Sequence, residues 1–205
     1  MYCILVTGIP AAGKSTLAEI LSKELELPLI SKDQMKEILF DEVGFNSRQA
    51  KVQLGNASMC IMYYIASQLM KLGQPFILEN NFEYVSKKGL LQLMNQYSYD
   101  ALTITLTGDY KTIYARFIER NSSPERHRGH IINDCYPEKT PRTIDELKKS
   151  FLSYENFVDA IKTRGMDDFV ATKSRIVVDV TDFSKIDTTQ IVQKVKQWKE
   201  DRSDD

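Results

Sequence analysis

The chain opens on an apolar run, Tyr2 to Thr7 (YCILVT), bounded by Gly8, which suits a strand buried on both faces of a parallel sheet. KSTLAEILSKELEL follows with Leu17, Ile20, Leu21 and Leu25 at helical spacing, Glu and Lys opposite them, and a stop at Pro28. The alternation then repeats. LPLIS at 27–31 is a second strand, and DQMKEILFDEV places Met35, Ile38, Leu39 and Val43 on one helical face. A longer helical pattern runs from about Ser47 to Leu72, with Gly73 where a C-cap belongs. PFILEN and ALTITLT read as the third and fourth strands, separated by the helix SKKGLLQLMNQY. YKTIYARFIER is helical, after which residues 121–141 carry three prolines and both histidines with no period, and are expected to form a mobile loop or lid. IDELKKSFLSYENFVDAIKT predicts one amphipathic helix, RIVVDV a fifth strand and DTTQIVQKVKQWK a closing helix, before a tail at about 200–205 expected to fray.

Strands alternating with helices predict an α/β fold: a three-layer α/β/α sandwich around a mostly parallel five-stranded sheet. At 205 residues the expectation is a single domain spanning 1–205. A formal net charge of −1 removes the global positive field that would hold a nucleic-acid backbone without specificity. Cys3, Cys60 and Cys135 are odd in number and widely spaced, so they form no secreted-type disulfide framework, and a reducing cytoplasmic location is expected. There is no basic leader and no apolar run of membrane-spanning length, so neither export nor insertion is indicated.

Between the first strand and first helix lies Gly8-Ile9-Pro10-Ala11-Ala12-Gly13-Lys14-Ser15, which fits G-x-x-x-x-G-K-[ST] in the context that motif requires. The glycines let backbone amides turn around a β-phosphate, the helix N-terminus adds partial positive charge, and Lys14 bridges β- and γ-phosphates. Nucleotide contacts are expected from Gly8, Ala11, Ala12, Gly13, Lys14, Ser15 and Thr16, with the Ser15 hydroxyl on Mg²⁺.

GIPAAGKST, the strand-end LISKD and the Arg-rich ERNSSPERHRGH together resemble the small AAA-type P-loop kinases, a family that includes polynucleotide 5′-hydroxyl kinases, zeta-toxin-type kinases and antibiotic phosphotransferases. The resemblance implies a nucleoside-kinase-like P-loop fold with an Arg-rich lid, ATP and Mg²⁺ as cofactors, and a hydroxyl-bearing acceptor, either a small molecule or a nucleic-acid 5′ end. It also implies that the aspartate just after the second strand, Asp33 here, faces the acceptor hydroxyl as base. The bland alternative is that Ser31 or Asp33 caps the following helix. Lys32 and Lys36 flank Asp33, either drawing in an anionic acceptor or standing as solvated charges. The third strand ends in Glu79-Asn80-Asn81, where many P-loop proteins carry a Walker B aspartate; Glu79 is a candidate for metal or acceptor, Asn80 and Asn81 for the acceptor.

Four of the nine arginines, Arg116, Arg120, Arg126 and Arg128, fall between residues 116 and 130. Arg116 and Arg120 are one turn apart and project from one helical face, suiting one to stack on adenine and the other to reach the transferring phosphate. Arg126 and Arg128 are lid or acceptor candidates, with a solvated basic helix end as the alternative. His127, His130 and Cys135 lack the second cysteine pair of a structural zinc site. The acceptor pocket is expected from the helix after Asp33 together with residues 45–60. An NTP-hydrolysing switch or regulatory nucleotide-binding module without a phosphoryl acceptor is the competing reading; no guanine-reading N/T-K-x-D motif accompanies it.

Overall fold

The computed structural model describes residues 1–202; residues 203–205, the end of the tail expected to fray, lie outside the described residues. The elements are β1 (Tyr2–Gly8), α1 (Lys14–Leu25), β2 (Leu29–Ser31), α2 (Lys32–Val43), α3 (Arg48–Lys71), β3 (Phe76–Glu79), α4 (Tyr84–Tyr97) and β4 (Asp100–Thr107). They continue with α5 (Tyr110–Ser122), α6 (Arg128–Ile131), α7 (Ile144–Lys148), α8 (Tyr154–Arg164), β5 (Arg175–Asp179) and α9 (Thr188–Glu200). The strands form one sheet in the order β2-β3-β1-β4-β5, and every pairing is parallel rather than mostly so.

Side-chain alternation along β1 divides the core. Ile4 and Val6 join Ile77, Leu102, Ile104 and Leu106 on one face, beneath α1, α5, α8 and α9. Cys3 and Leu5 face the other way with Ile30, Phe76, Leu78 and Ala101, beneath α3 and α4. Both faces are covered, which is why the strands read as continuous apolar runs instead of alternating ones.

A third cluster, outside the sheet, is built from Phe40, Phe45, Ile131, Ile132 and Leu147. It docks the segment expected to be a mobile loop. α6 packs against α2, Phe45 and Tyr136 exchange backbone hydrogen bonds, and Lys51 of α3 donates to the carbonyls of His130 and Ile132 and to Asn133 Oδ1. The single helix expected over 144–163 is two. α7 carries a Thr143–Glu146 capping box, and the Ser153 hydroxyl accepts from Asn156 N–H to start α8 afresh. At the tail, α9 continues to Glu200, and Arg202 pairs with Asp100.

Candidate active site

Parallel pairing brings the carboxyl ends of β1, β2 and β3 to one sheet edge. Glu79 is in register with Val6 of β1 and with Ser31 of β2, so the loop after β1, the start of α2 and the end of β3 meet there. That edge, where strand order reverses around β1, is where open α/β sheets bind ligands. A cavity of about 810 Å³ occupies it, walled by Ala11, Gly13, Lys14, Ser15, Thr16, Asp33, Glu79, Asn80, Asn81, Arg116, Arg120 and Arg126. Sequence-predicted residues from five separate segments are thereby gathered into one chamber.

The loop after β1 is held in an unusual backbone. Gly8 has φ 133°, and a Cβ there would lie 2.1 Å from the Leu106 carbonyl oxygen of β4, so only glycine fits. Ala11 (φ 63°) and Gly13 (φ 83°) are left-handed, a costly state for alanine that marks a conformation imposed by the surroundings. α1 begins without a side-chain cap, and its first intrahelical bond is Leu17 N–H to the Gly13 carbonyl at 3.1 Å. The amides of Lys14, Ser15 and Thr16 therefore remain available at the positive end of the helix, facing an anion site.

Lys14 is buried, and its ammonium donates to the Ile9 carbonyl at 2.9 Å. Burial lowers its pKa to about 8, with Arg120 and Arg126 adding to the fall and Glu79 and Asp33 opposing it. Glu79 is also buried; desolvation raises its pKa against the pull of Lys14 and of the Ser31 hydroxyl, which donates to Oε2 at 2.6 Å. Because Ser31 bonds Glu79, it does not cap α2. Asp33 sits inside the first turn of α2, so neither residue acts as the cap considered from sequence. Asp33 is open to solvent through the cavity; partial desolvation by the crowded walls favours its protonated form, but His130, Lys36, Arg126 and Lys14 outweigh it and hold the carboxyl at about 2.

The arginines divide. Arg116 donates to the carbonyls of Val180 and Thr181, and its guanidinium lies 3.8 Å over the Phe183 ring. Burial brings Arg120 down to about 10, with Arg126 contributing. Arg120 Nε and Arg126 Nε are buried without a hydrogen-bond partner among the described residues, an arrangement suited to receiving an anion. Arg128 is turned away: it pairs with Glu138 and donates to the Arg142 carbonyl at 2.9 Å, fastening the lid segment instead of lining the cavity. Gly8 and Ala12 lie behind the wall. Ala12 lines an adjoining apolar cavity of about 330 Å³ with Leu17, Ile20, Leu106, Val178 and Phe183.

None of the cavity-lining residues comes from 45–60, the stretch expected to shape the acceptor pocket. Phe45 and Lys51 are committed to docking the lid segment, and α3 packs along α2. Glu83, Arg164 and Phe183 line the chamber instead and were missed. Arg164 ends a helix far along the chain and gave no signal; Phe183, a half-exposed aromatic in a polar connection, gave a weak one. Hard oxygen donors at Ser15, Glu79 and Asp33 share the wall and suit Mg²⁺, which keeps most of its ligands as water and phosphate oxygen. Among the described residues no group of three or more His, Cys, Asp or Glu side chains is arranged to hold a metal by itself.

The fully parallel sheet and the loop between β1 and α1 define a P-loop nucleotide-binding protein of kinase-like fold. Within that class the chain belongs to the AAA domain family, whose profile matches residues 3–132. Among solved structures, a provisionally assigned kinase from Chloroflexus aurantiacus J-10-fl is 25% identical with a TM-score of 0.75, covering 98% of this chain and 96% of that one. A gluconokinase from Sinorhizobium meliloti 1021 (12% identity, TM-score 0.51, 93% and 87% covered) and a shikimate kinase from Bacteroides thetaiotaomicron (17%, 0.50, 98% and 98%) share the fold. No curated protein sequence matches the chain. Among the described residues no helix is long and apolar enough to cross a membrane.

Proposed function

We propose that the protein is an ATP-dependent phosphotransferase that moves the γ-phosphate onto a hydroxyl group of a small molecule. The observation that carries this reading is that the P-loop, Asp33 and the arginines 120 and 126 open into one chamber, so donor phosphate and acceptor hydroxyl can be held side by side. The Lys14 ammonium, bound to a loop carbonyl, is positioned to exchange that partner for β- and γ-phosphate oxygens. The apolar cavity beside Phe183 suits the nucleotide base, with Arg116 stacked on Phe183 at its margin.

In the transfer, the acceptor oxygen forms a bond to the γ-phosphorus while the bond from that phosphorus to the β–γ bridging oxygen breaks and ADP leaves. Asp33 accepts a hydrogen bond from the acceptor hydroxyl, orients its lone pair, and takes the proton as the new bond forms. A carboxylate held at about 2 is a weak base, so orientation is its larger contribution, as a loose phosphoryl transition state allows. Arg120 neutralises charge on the oxygens in transit. Ser15 and Glu79 would hold Mg²⁺, which would offset negative charge on the phosphates.

Incubation of the purified protein with γ-labelled ATP and a panel of sugars, hydroxy acids, nucleosides, aminoglycosides and 5′-hydroxyl oligonucleotides tests the reading. Label is expected on a small-molecule acceptor. Rapid release of inorganic phosphate that no acceptor diverts would replace this reading with the NTP-hydrolysing one, and labelling of oligonucleotides alone would replace the small-molecule acceptor.

A further inference from the structure

Lys32 and Lys36 stand one helical turn apart on α2, and both line the cavity. Lys36 is not a freely solvated charge. Its stem runs along α3 at Gly55, where an added Cβ would sit 3.6 Å from Lys36 Cε, and its ammonium lies 5.4 Å from the Phe40 ring centroid. Yet no hydrogen bond or ion pair reaches that ammonium from the described residues. Burial lowers its pKa, and the nearby charges are Asp33 and three further cations, Lys32, Arg126 and Arg164.

The carboxylates at this end of the chamber are largely committed. Glu83 pairs with Arg164, and Glu37 bonds His130 Nε2 at 2.7 Å while standing 3.9 Å from Arg126. Arg126 keeps a buried Nε with no partner. Positive charge is thus concentrated and under-compensated around Asp33, where Lys32 and Lys36 of α2 meet Arg126, which also feels Lys14 and Arg120. A site built for a neutral polyol would not crowd cations in this way, because each raises the cost of its neighbours.

We propose that the acceptor alcohol carries its own anionic group, a carboxylate or a phosphate ester, and that Lys36 and Lys32, together with Arg126, seat that group beside Asp33. The claim that this anion belongs to the acceptor rests on the kinase reading; the anion seat itself does not. Such a seat fixes the molecule at one end and leaves its hydroxyl at Asp33, converting charge recognition into alignment for transfer.

The test is calorimetry on protein saturated with Mg²⁺ and a non-hydrolysable ATP analogue, titrated with inorganic phosphate, glycerate, glycerol 3-phosphate and glycerol. Phosphate and at least one charged alcohol are expected to bind and glycerol to give no heat; glycerate against glycerol 3-phosphate separates carboxylate from phosphate ester. K36M and the milder Lys36→Gln should each weaken anion binding at least fivefold and leave analogue affinity unchanged. The proposal is overturned if phosphate does not bind the loaded protein, if glycerol binds as well as the anions, or if both variants bind phosphate like the wild type. If the analogue itself fails to bind, the kinase reading falls, and the same phosphate titration of unloaded wild-type and variant protein decides the anion seat alone.

Discussion

Asp33 shows how little an isolated residue type reveals and how much its neighbours do. An aspartate in the first turn of a helix is ordinary, but here it faces a chamber and its charge is enforced by Lys36, Arg126 and Lys14 together with His130. Asp33→Asn keeps the shape and removes the acceptor for the hydroxyl proton. The expected outcome is a nucleotide Kd within about twofold of wild type and a kcat lower by ~10²–10⁴-fold, measured with an acceptor found in the labelling panel. Gly8 makes a different kind of claim. Gly8→Ala would force a Cβ onto the Leu106 carbonyl and strain a φ of 133°, so urea unfolding should show a loss of about 3 kcal/mol or more. Among the arginines the sequence showed only that they crowd together; whether each faces phosphate or another protein group was set by partners such as Glu138, which claims Arg128 from ten residues away.

At the scale of elements, the strands and most helices were legible because their signals are local: apolar runs between glycines, 3.6-residue spacing, and stops at Pro28 and Gly73. The exceptions are informative. Apolar spacing continues across Ser153, so periodicity predicted one helix, but Ser153 adopts an extended backbone and caps a new one. Residues 121–141 have no period because their order comes from partners elsewhere, above all Lys51 of α3. Burial lowers the Lys51 ammonium to about 7, whereas the unfolded side chain titrates near 10.5. Between those values the unfolded state binds more protons, so this group makes stability rise with pH, by at most ~1.4 kcal/mol per unit; below pH 7 both states carry the charge, the dependence is flat and the cost of burying the ammonium is in full force. The stability difference between wild type and Lys51→Met should therefore grow from pH 7 to pH 9, read from urea melts at each pH.

At the scale of the whole molecule, one continuous sheet supports every wall of the chamber, so the expectation is one cooperative unfolding transition that ligand binding shifts as a unit. Mg·ATP at a hundred times its Kd should stabilise the protein by ~2.7 kcal/mol and raise Tm by about 5–10 °C. Lys14→Ala should abolish that shift while the protein still melts cooperatively. A wild-type shift in the variant would remove the P-loop from the nucleotide site.

The sequence by itself determined the alternation of strands and helices and the position of the phosphate-binding loop, because each depends on residues within a turn or two of one another; Asp33 became a candidate only through the resemblance to small P-loop kinases. Only the tertiary structure decided that Glu83, Arg164 and Phe183 share the chamber, that Arg128 does not, and that the lid segment is docked. The physical reason is that a parallel strand carries no local mark of its neighbour. The order β2-β3-β1-β4-β5 emerges from burying both faces of the central strands at once, and that order chooses which loops meet.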